Sequence, residues 1–251
     1  DKANHPAPPA TPVDSVVLFY TCIGNFFDPP MVIDTAKVLA HNDVVFEVPK
    51  QECCGMANLD IGDIEAATKK AQANVDVLLP LVRAGKKIVV PSPSCSLMLK
   101  QEYPRLLGTA EAQEISANTY DVGQYLMWLR REGKLKQDFT EGFSGKKIGY
   151  HAPCHLRAQN IGLTSRDLLS LIPGVEVTAI EQCSAHDGSW GMSKEFYEES
   201  MKMGGKLFRQ MKEAEPDIVA TDCSFASLHL NQALGTVPMH PIQIVREAYG
   251  L

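Results

Sequence analysis

Short continuous apolar runs alternate along this chain with longer segments whose apolar residues recur every three or four positions. The first kind is the signature of a strand buried on both faces of a parallel sheet, the second that of an amphipathic helix. Val16-Val17-Leu18-Phe19-Tyr20-Thr21-Cys22 is the first such run and ends on a cysteine. Asp28-Pro29-Pro30 then opens a helix with Val32, Ala36 and Leu39 on one face. Val44-Val45-Phe46-Glu47-Val48 predicts a second buried strand. Residues 62–85 predict a long helix striped by Ile64, Ala67, Ala71, Val75, Leu78 and Val82, with Pro80 as a kink. Lys86-Lys87-Ile88-Val89-Val90 predicts the third strand. Residues 101–145 read as a helical connector carrying Tyr125, Leu126, Trp128 and Leu129, with Gly133 and Gly142 as stops.

The pattern then begins again. Residues 146–154 repeat the first strand and its terminal cysteine, 165–172 the first helix and 175–183 the second strand. Residues 193–215 repeat the long helix, with Phe196, Met203, Leu207 and Met211 inward, and 217–223 repeat the third strand. The expected fold is α/β: duplicated β-α-β-α-β halves with parallel sheets related by a pseudo-twofold, and binding sites at the carboxyl ends of the strands. The expected organisation is a flexible proline-rich tail at 1–14, a first repeat at 15–100, the connector at 101–145 and a second repeat with a degenerate motif at 146–251.

The cysteines follow this repeat. Gln51-Glu52-Cys53-Cys54-Gly55-Met56 puts two adjacent thiols and a glycine after a strand. Neighbouring cysteines do not easily bond each other, so the pair reads as two thiolates offered to metal, and the glycine lets the backbone turn close to what they hold. An offset of about 130 residues lays Cys22 on Cys154, Cys53-Cys54 on Cys183-Ser184, and CSLMLKQ from Cys95 on ASLHLNQ from Ala226. Cys223 falls on Ser92 at the same offset. The common template is therefore Cys, Cys-Cys-Gly, Cys-x-x-Cys, and it uses all seven cysteines.

Composition narrows the classes. With 45% hydrophobic and 22% charged residues the chain is an ordinary globular protein, and a net charge of −6 with interspersed signs argues against nucleic acid. No signal peptide is expected from this sequence, and no apolar run reaches membrane-spanning length. Seven cysteines without a secreted disulfide framework point to a reducing, cytoplasmic setting with metal or redox thiols.

QECCGM, PSCSLMLKQEYP, HAPCHLRAQNIG followed by SRDLL, QCSAHDGSWG and TDC together resemble the duplicated cysteine-rich, or CCG, domain iron-sulfur proteins. That family includes the B subunit of heterodisulfide reductase, iron-sulfur subunits of glycolate and lactate oxidation, and the C subunit of anaerobic glycerol-3-phosphate dehydrogenase. The resemblance implies an electron-transfer subunit of an oxidoreductase, with a flavin dehydrogenase or ferredoxin-like subunit as redox partner, peripheral to a membrane if bound to one. The glycerol-3-phosphate dehydrogenase members usually add an amino-terminal ferredoxin-like region, which these residues lack; it would lie on another chain, have been removed, or be absent from a stand-alone form.

In the first repeat the resemblance implies that Cys22, Cys53, Cys54 and Cys95 hold one 4Fe-4S cluster, for which four thiolates suffice. In the second it leaves Cys154, Cys183 and Cys223 for an iron-sulfur or zinc centre that needs a fourth ligand. His186 and His155, beside ligand cysteines, are the candidates, with His186 favoured because it lies in the turn that replaces Cys-Cys-Gly. Two other functions fit the residues: a thiol-disulfide reductase using an open second site, with Arg157 and Gln159 near an anionic substrate, and a zinc-containing assembly module.

Overall fold

The computed structural model describes residues 11–251. Of the tail expected at 1–14, residues 1–10 lie outside the described residues, and Asp14 is not tail. It opens β1 (Asp14–Leu18), where its carboxylate pairs with Lys87 Nζ at 3.0 Å and accepts from Tyr125 Oη at 3.0 Å. Two compact units divide between Lys136 and Gln137.

The first unit is built on a four-stranded parallel sheet of order β2-β1-β3-β4, with β2 at Val44–Glu47, β3 at Lys87–Val90 and β4 at Thr119–Asp121. Val16, Val17, Ile88, Val89 and Val90 in its two central strands are completely buried, as β-branched residues covered on both faces should be. The second strand differs from expectation. It lies at the sheet edge, only Val44 is buried, and Glu47 reaches out to Lys86 at 2.6 Å. The stretch expected as a purely helical connector also supplies β4, whose three residues are too few to show a strand period.

Helices α1 (Cys22–Phe26), α2 (Pro29–His41), α3 (Met56–Asp60) and α4 (Ile64–Arg83) follow the first two strands. Next come α5 (Pro93–Leu97), a π-helical turn at Met98–Glu102, α6 (Tyr103–Leu107), α7 (Ala110–Ala117) and α8 (Val122–Arg131). Asp63 caps α4 by accepting from Ala66 N at 3.1 Å. The buried stripe of α4 starts at Ala67 and not at Ile64, which is the first residue of the helix and half exposed. Ala67, Ala71, Val75, Leu78 and Val82 face the core, and each fully buried valine or leucine contributes about 1.5–3 kcal/mol. Pro80 lies inside α4 without ending it.

The second unit has a three-stranded parallel sheet of order β6-β5-β7, with β5 at Lys147–His151, β6 at Glu176–Ile180 and β7 at Ile218–Thr221. Its helices are α9 (Cys154–Arg157), α10 (Thr164–Leu169), α11 (Tyr197–Met203), α12 (Gly205–Glu213), α13 (Ser224–Leu234) and α14 (Pro241–Ala248). The long helix expected at 193–215 is two helices broken at Gly204. There a Cβ would stand 2.6 Å from Phe208 Cζ and 2.9 Å from Ser184 O, so glycine is what lets the junction press against the 183–185 turn. The break changes the helical phase. Leu207 and Met211 are buried as expected, but Met203, the last residue of α11, is two-thirds exposed.

No cysteine lies on a strand. Cys22 and Cys154 open α1 and α9, Cys95 lies in α5, Cys223 caps α13, and Cys53, Cys54 and Cys183 occupy the turns after β2 and β6. All seven are unbridged and lie beyond strand carboxyl ends.

Candidate metal centres

In the first unit the Cys-Cys-Gly turn is held by polar side chains from beneath. Asn74, fully buried on α4, accepts from Glu52 N at 2.9 Å and donates through Nδ2 to the carbonyls of Glu52 and Cys53, each at 3.3 Å, and to Tyr103 Oη at 2.9 Å. Tyr103, also buried, donates to Cys54 O at 3.1 Å. Apart from the Asn74–Tyr103 bond, which links the two side chains to each other, these bonds end on the backbone that carries the two thiols or on the residue beside it. Gly55 takes φ +94°, and a Cβ there would meet Ala67 O at 3.3 Å, so the turn needs glycine for both conformation and space.

This frame brings the four sequence-predicted thiols of the unit into one group. Cys53 and Cys22 sulfurs are 3.7 Å apart, Cys54 hydrogen-bonds both Cys53 and Cys95, and Cys54 and Cys95 are buried. Such a group cannot ionise everywhere at once. Hydrogen bonds from Cys22 and then Cys54 hold the Cys53 thiol far below its ordinary range. The same bond to Cys53, followed by burial, drives Cys22 upward, and bonds to Cys53 and Cys95 followed by burial drive Cys54 upward. A metal group that drew these sulfurs together would replace their protons and remove the mutual repulsion.

In the second unit the thiols are more open. Cys223 is buried, while Cys154 and Cys183 are exposed. Their charges still act on one another: Cys183 raises Cys154, where partial desolvation is the larger cause, and Cys154 adds to the burial that pushes Cys223 up to about 11. Ala185 N donates to Cys183 Sγ at 3.2 Å and Ala226 N to Cys223 Sγ at 3.5 Å. Ala185 stands where the template has glycine and keeps φ at +63°, a strained value for alanine; the hydroxyl of Ser200 fixes its carbonyl at 2.7 Å.

His186 Nε2 lies 3.6 Å from Cys223 Sγ, and its Nδ1 donates to Gly188 O at 3.3 Å. His155 is close enough for its charge to act on His186, whose pKa is lowered chiefly by burial. His151 stands apart, with Nδ1 on Thr221 Oγ1 and Nε2 on Gln182 O, both at 3.0 Å. Trp190 stacks on Phe196 at 5.2 Å and is partly buried. Among the described residues no three Cys, His, Asp or Glu side chains stand close enough to hold a single ion. The donors are soft sulfur and imidazole with no carboxylate among them, which suits iron-sulfur or zinc and not a hard cation.

Sequence reasoning missed Asn74 and Tyr103. A signal was present for the first, since an asparagine three residues after Ala71 interrupts the apolar stripe of α4.

Parallel sheets with thiols gathered beyond the strand ends in each of two units define an α/β protein of the cysteine-rich, metal- or redox-handling class. The chain belongs to the cysteine-rich domain family, CCG, which it matches at residues 16–100 and again at 148–231. It is 31% identical over 245 residues to the C subunit of anaerobic glycerol-3-phosphate dehydrogenase of Escherichia coli, covering 94% of this chain and 59% of that one. It is 27% identical over 254 residues to the D subunit of dihydromethanophenazine:CoB–CoM heterodisulfide reductase of Methanosarcina barkeri, with the same coverage of 94% and 59%. Lactate utilization protein A of Shouchella clausii is 27% identical over 197 residues, 74% of this chain and 78% of that protein. The chain thus spans about three fifths of the first two relatives. No helix among the described residues is long and apolar enough to cross a membrane.

Proposed function

We propose that this chain is an iron-sulfur electron-transfer subunit, passing electrons between a partner dehydrogenase or reductase and a further acceptor. The observation that carries the reading is the contact group of Cys22, Cys53, Cys54 and Cys95, a set of four thiols. Those four residues would hold a 4Fe-4S cluster. Cys154, Cys183 and Cys223, completed by a histidine, would hold a second centre of iron-sulfur or zinc type. The reading includes descent of the two units from one β-α-β-α-β template, supported by the twofold family match and by sheet orders that place the first strand of each repeat centrally.

When bound, a cluster supplies one-electron uptake and release at a potential set by its surroundings. The chain's own residues fix the thiolates: Asn74 and Tyr103 orient the main chain of the Cys-Cys-Gly turn, and burial of Cys54 and Cys95 keeps water from two of the four sulfurs. Relatives named as subunits of glycerol-3-phosphate dehydrogenase and heterodisulfide reductase support a redox partner for this chain; the reading takes that partner to be a flavin dehydrogenase or ferredoxin-like subunit, in the cytoplasm or at the face of a membrane complex.

Anaerobic purification followed by iron, zinc and acid-labile sulfide analysis, with EPR of the reduced protein, tests this. The reading predicts a brown protein with near-stoichiometric cluster iron; a colourless, iron-free protein would end it. The exposure of Cys154 and Cys183 favours a second reading, a thiol-disulfide reductase whose substrate sulfur reaches an open centre. Turnover of a low-molecular-weight disulfide with a viologen donor would select it.

A further inference from the structure

His229 lies on α13, one helical turn beyond Ala226, the position at which the template has its last cysteine. The residue in its place in the first unit is Met98, an apolar side chain whose terminal methyl packs near Gly55 of the Cys-Cys-Gly turn. In the second unit this buried apolar position holds an imidazole, 2% exposed. Burying a polar ring there is costly unless both nitrogens are used.

One nitrogen is used. Nδ1 lies 2.9 Å from Ser184 O, in the turn beside Cys183. A carbonyl only accepts, so Nδ1 carries the proton and donates, leaving a lone pair on Nε2. That Nε2 is buried and has no hydrogen-bond partner. Its ring is 6.3 Å from that of His186, which itself approaches Cys223. A histidine whose Nδ1–H is fixed by a main-chain carbonyl while Nε2 keeps a free lone pair is the usual disposition of a metal-bound imidazole.

Resting on the second centre proposed above, we infer that His229 Nε2 is a metal ligand of that centre, replacing the thiolate lost at Ala226. His229 is better prepared for this than His186. It sits on a helix and not in a loop, is more deeply buried, and has the shorter bond to its orienting carbonyl, 2.9 against 3.3 Å. The other reading is that His229 only tethers the 183–185 turn through Nδ1.

The full chain, purified anaerobically, separates the two. Wild-type protein, His229→Asn, His229→Met and His186→Ala are compared for iron, zinc and sulfide per chain and for nitrogen hyperfine couplings of the reduced centre with 15N-labelled histidine. Asparagine keeps an N–H for Ser184 O but has no atom at the Nε2 position, so a tether would survive it. The proposal predicts that folded His229→Asn loses half or more of the second-centre metal, or its histidine nitrogen coupling, and that His186→Ala retains a histidine coupling. Wild-type metal content and couplings in folded His229→Asn would overturn the proposal and leave the second centre standing. A wild-type chain with only the first centre's metal would overturn both. If neither His229 variant folds, the His186→Ala chain decides, with His155→Ala added: a surviving histidine coupling supports His229 and its absence rejects it.

Discussion

Acid should weaken the second unit through His151, and the size of the effect follows from its surroundings. The ring is 1% exposed, with Nδ1 on Thr221 Oγ1 and Nε2 on Gln182 O. Burial is the main reason its pKa drops to about 4 from an ordinary 6.5, and the charges of Arg157 and His186 push the same way, against the hydrogen bond to Gln182. Above pH 6.5 the imidazole is neutral in folded and unfolded chains and titration contributes nothing. Between 6.5 and 4 only the unfolded chain takes up the proton, so stability is lost as pH falls through that window and levels off below it. Linkage gives a loss of about 2 kcal/mol between pH 7 and pH 5, and about 3 kcal/mol in full. His151→Gln keeps an amide for the same neighbours without titrating. Urea unfolding read by hydrogen exchange at the amides of β5 would report on this unit alone. Between pH 7 and 5 the wild-type chain should lose about 2 kcal/mol more than the variant; parallel curves for the two would refute the desolvation argument.

The first centre makes three further predictions. Cys54→Ser should lower iron and sulfide by half or more in anaerobically purified protein, whereas unchanged iron would remove Cys54 from the ligand set. Gly55→Ala must hold φ near +94° against Ala67 O and should cost about 1–3 kcal/mol in urea unfolding together with cluster iron. Asn74→Leu leaves Glu52 N and the carbonyls of the turn without their buried partner, at about 1–3 kcal/mol for each group left unpaired. It should speed loss of cluster colour in air; bleaching at the wild-type rate would show that the turn does not depend on Asn74.

The parts of the fold legible in the sequence are those fixed by long-range periodicity. Apolar runs mark the central strands of the first sheet, and the cysteine offset alone groups Cys22, Cys53, Cys54 and Cys95. What is not legible depends on neighbours. The edge position of β2 is set by strand order, which no local pattern encodes, and β4 is too short to show a period. The break at Gly204 reflects a close approach to Ser184 O from a distant turn. His229 escapes notice in the sequence because a histidine within an apolar helix reads as core until its two nitrogens can be accounted for separately.

The Asn74–Tyr103 clamp also bears on how a cluster is acquired and lost. Its bonds run from side chains on α4 and α6 to the main chain of the Cys-Cys-Gly turn, and none passes through a sulfur. The turn is therefore ordered by the polypeptide and does not wait for metal to shape it. A chain stripped of iron by oxygen would keep its socket, and refilling would require reduced thiols, iron and sulfide but no refolding. Oxidative loss of a cluster held there would then be a matter of repair and not of replacing the protein.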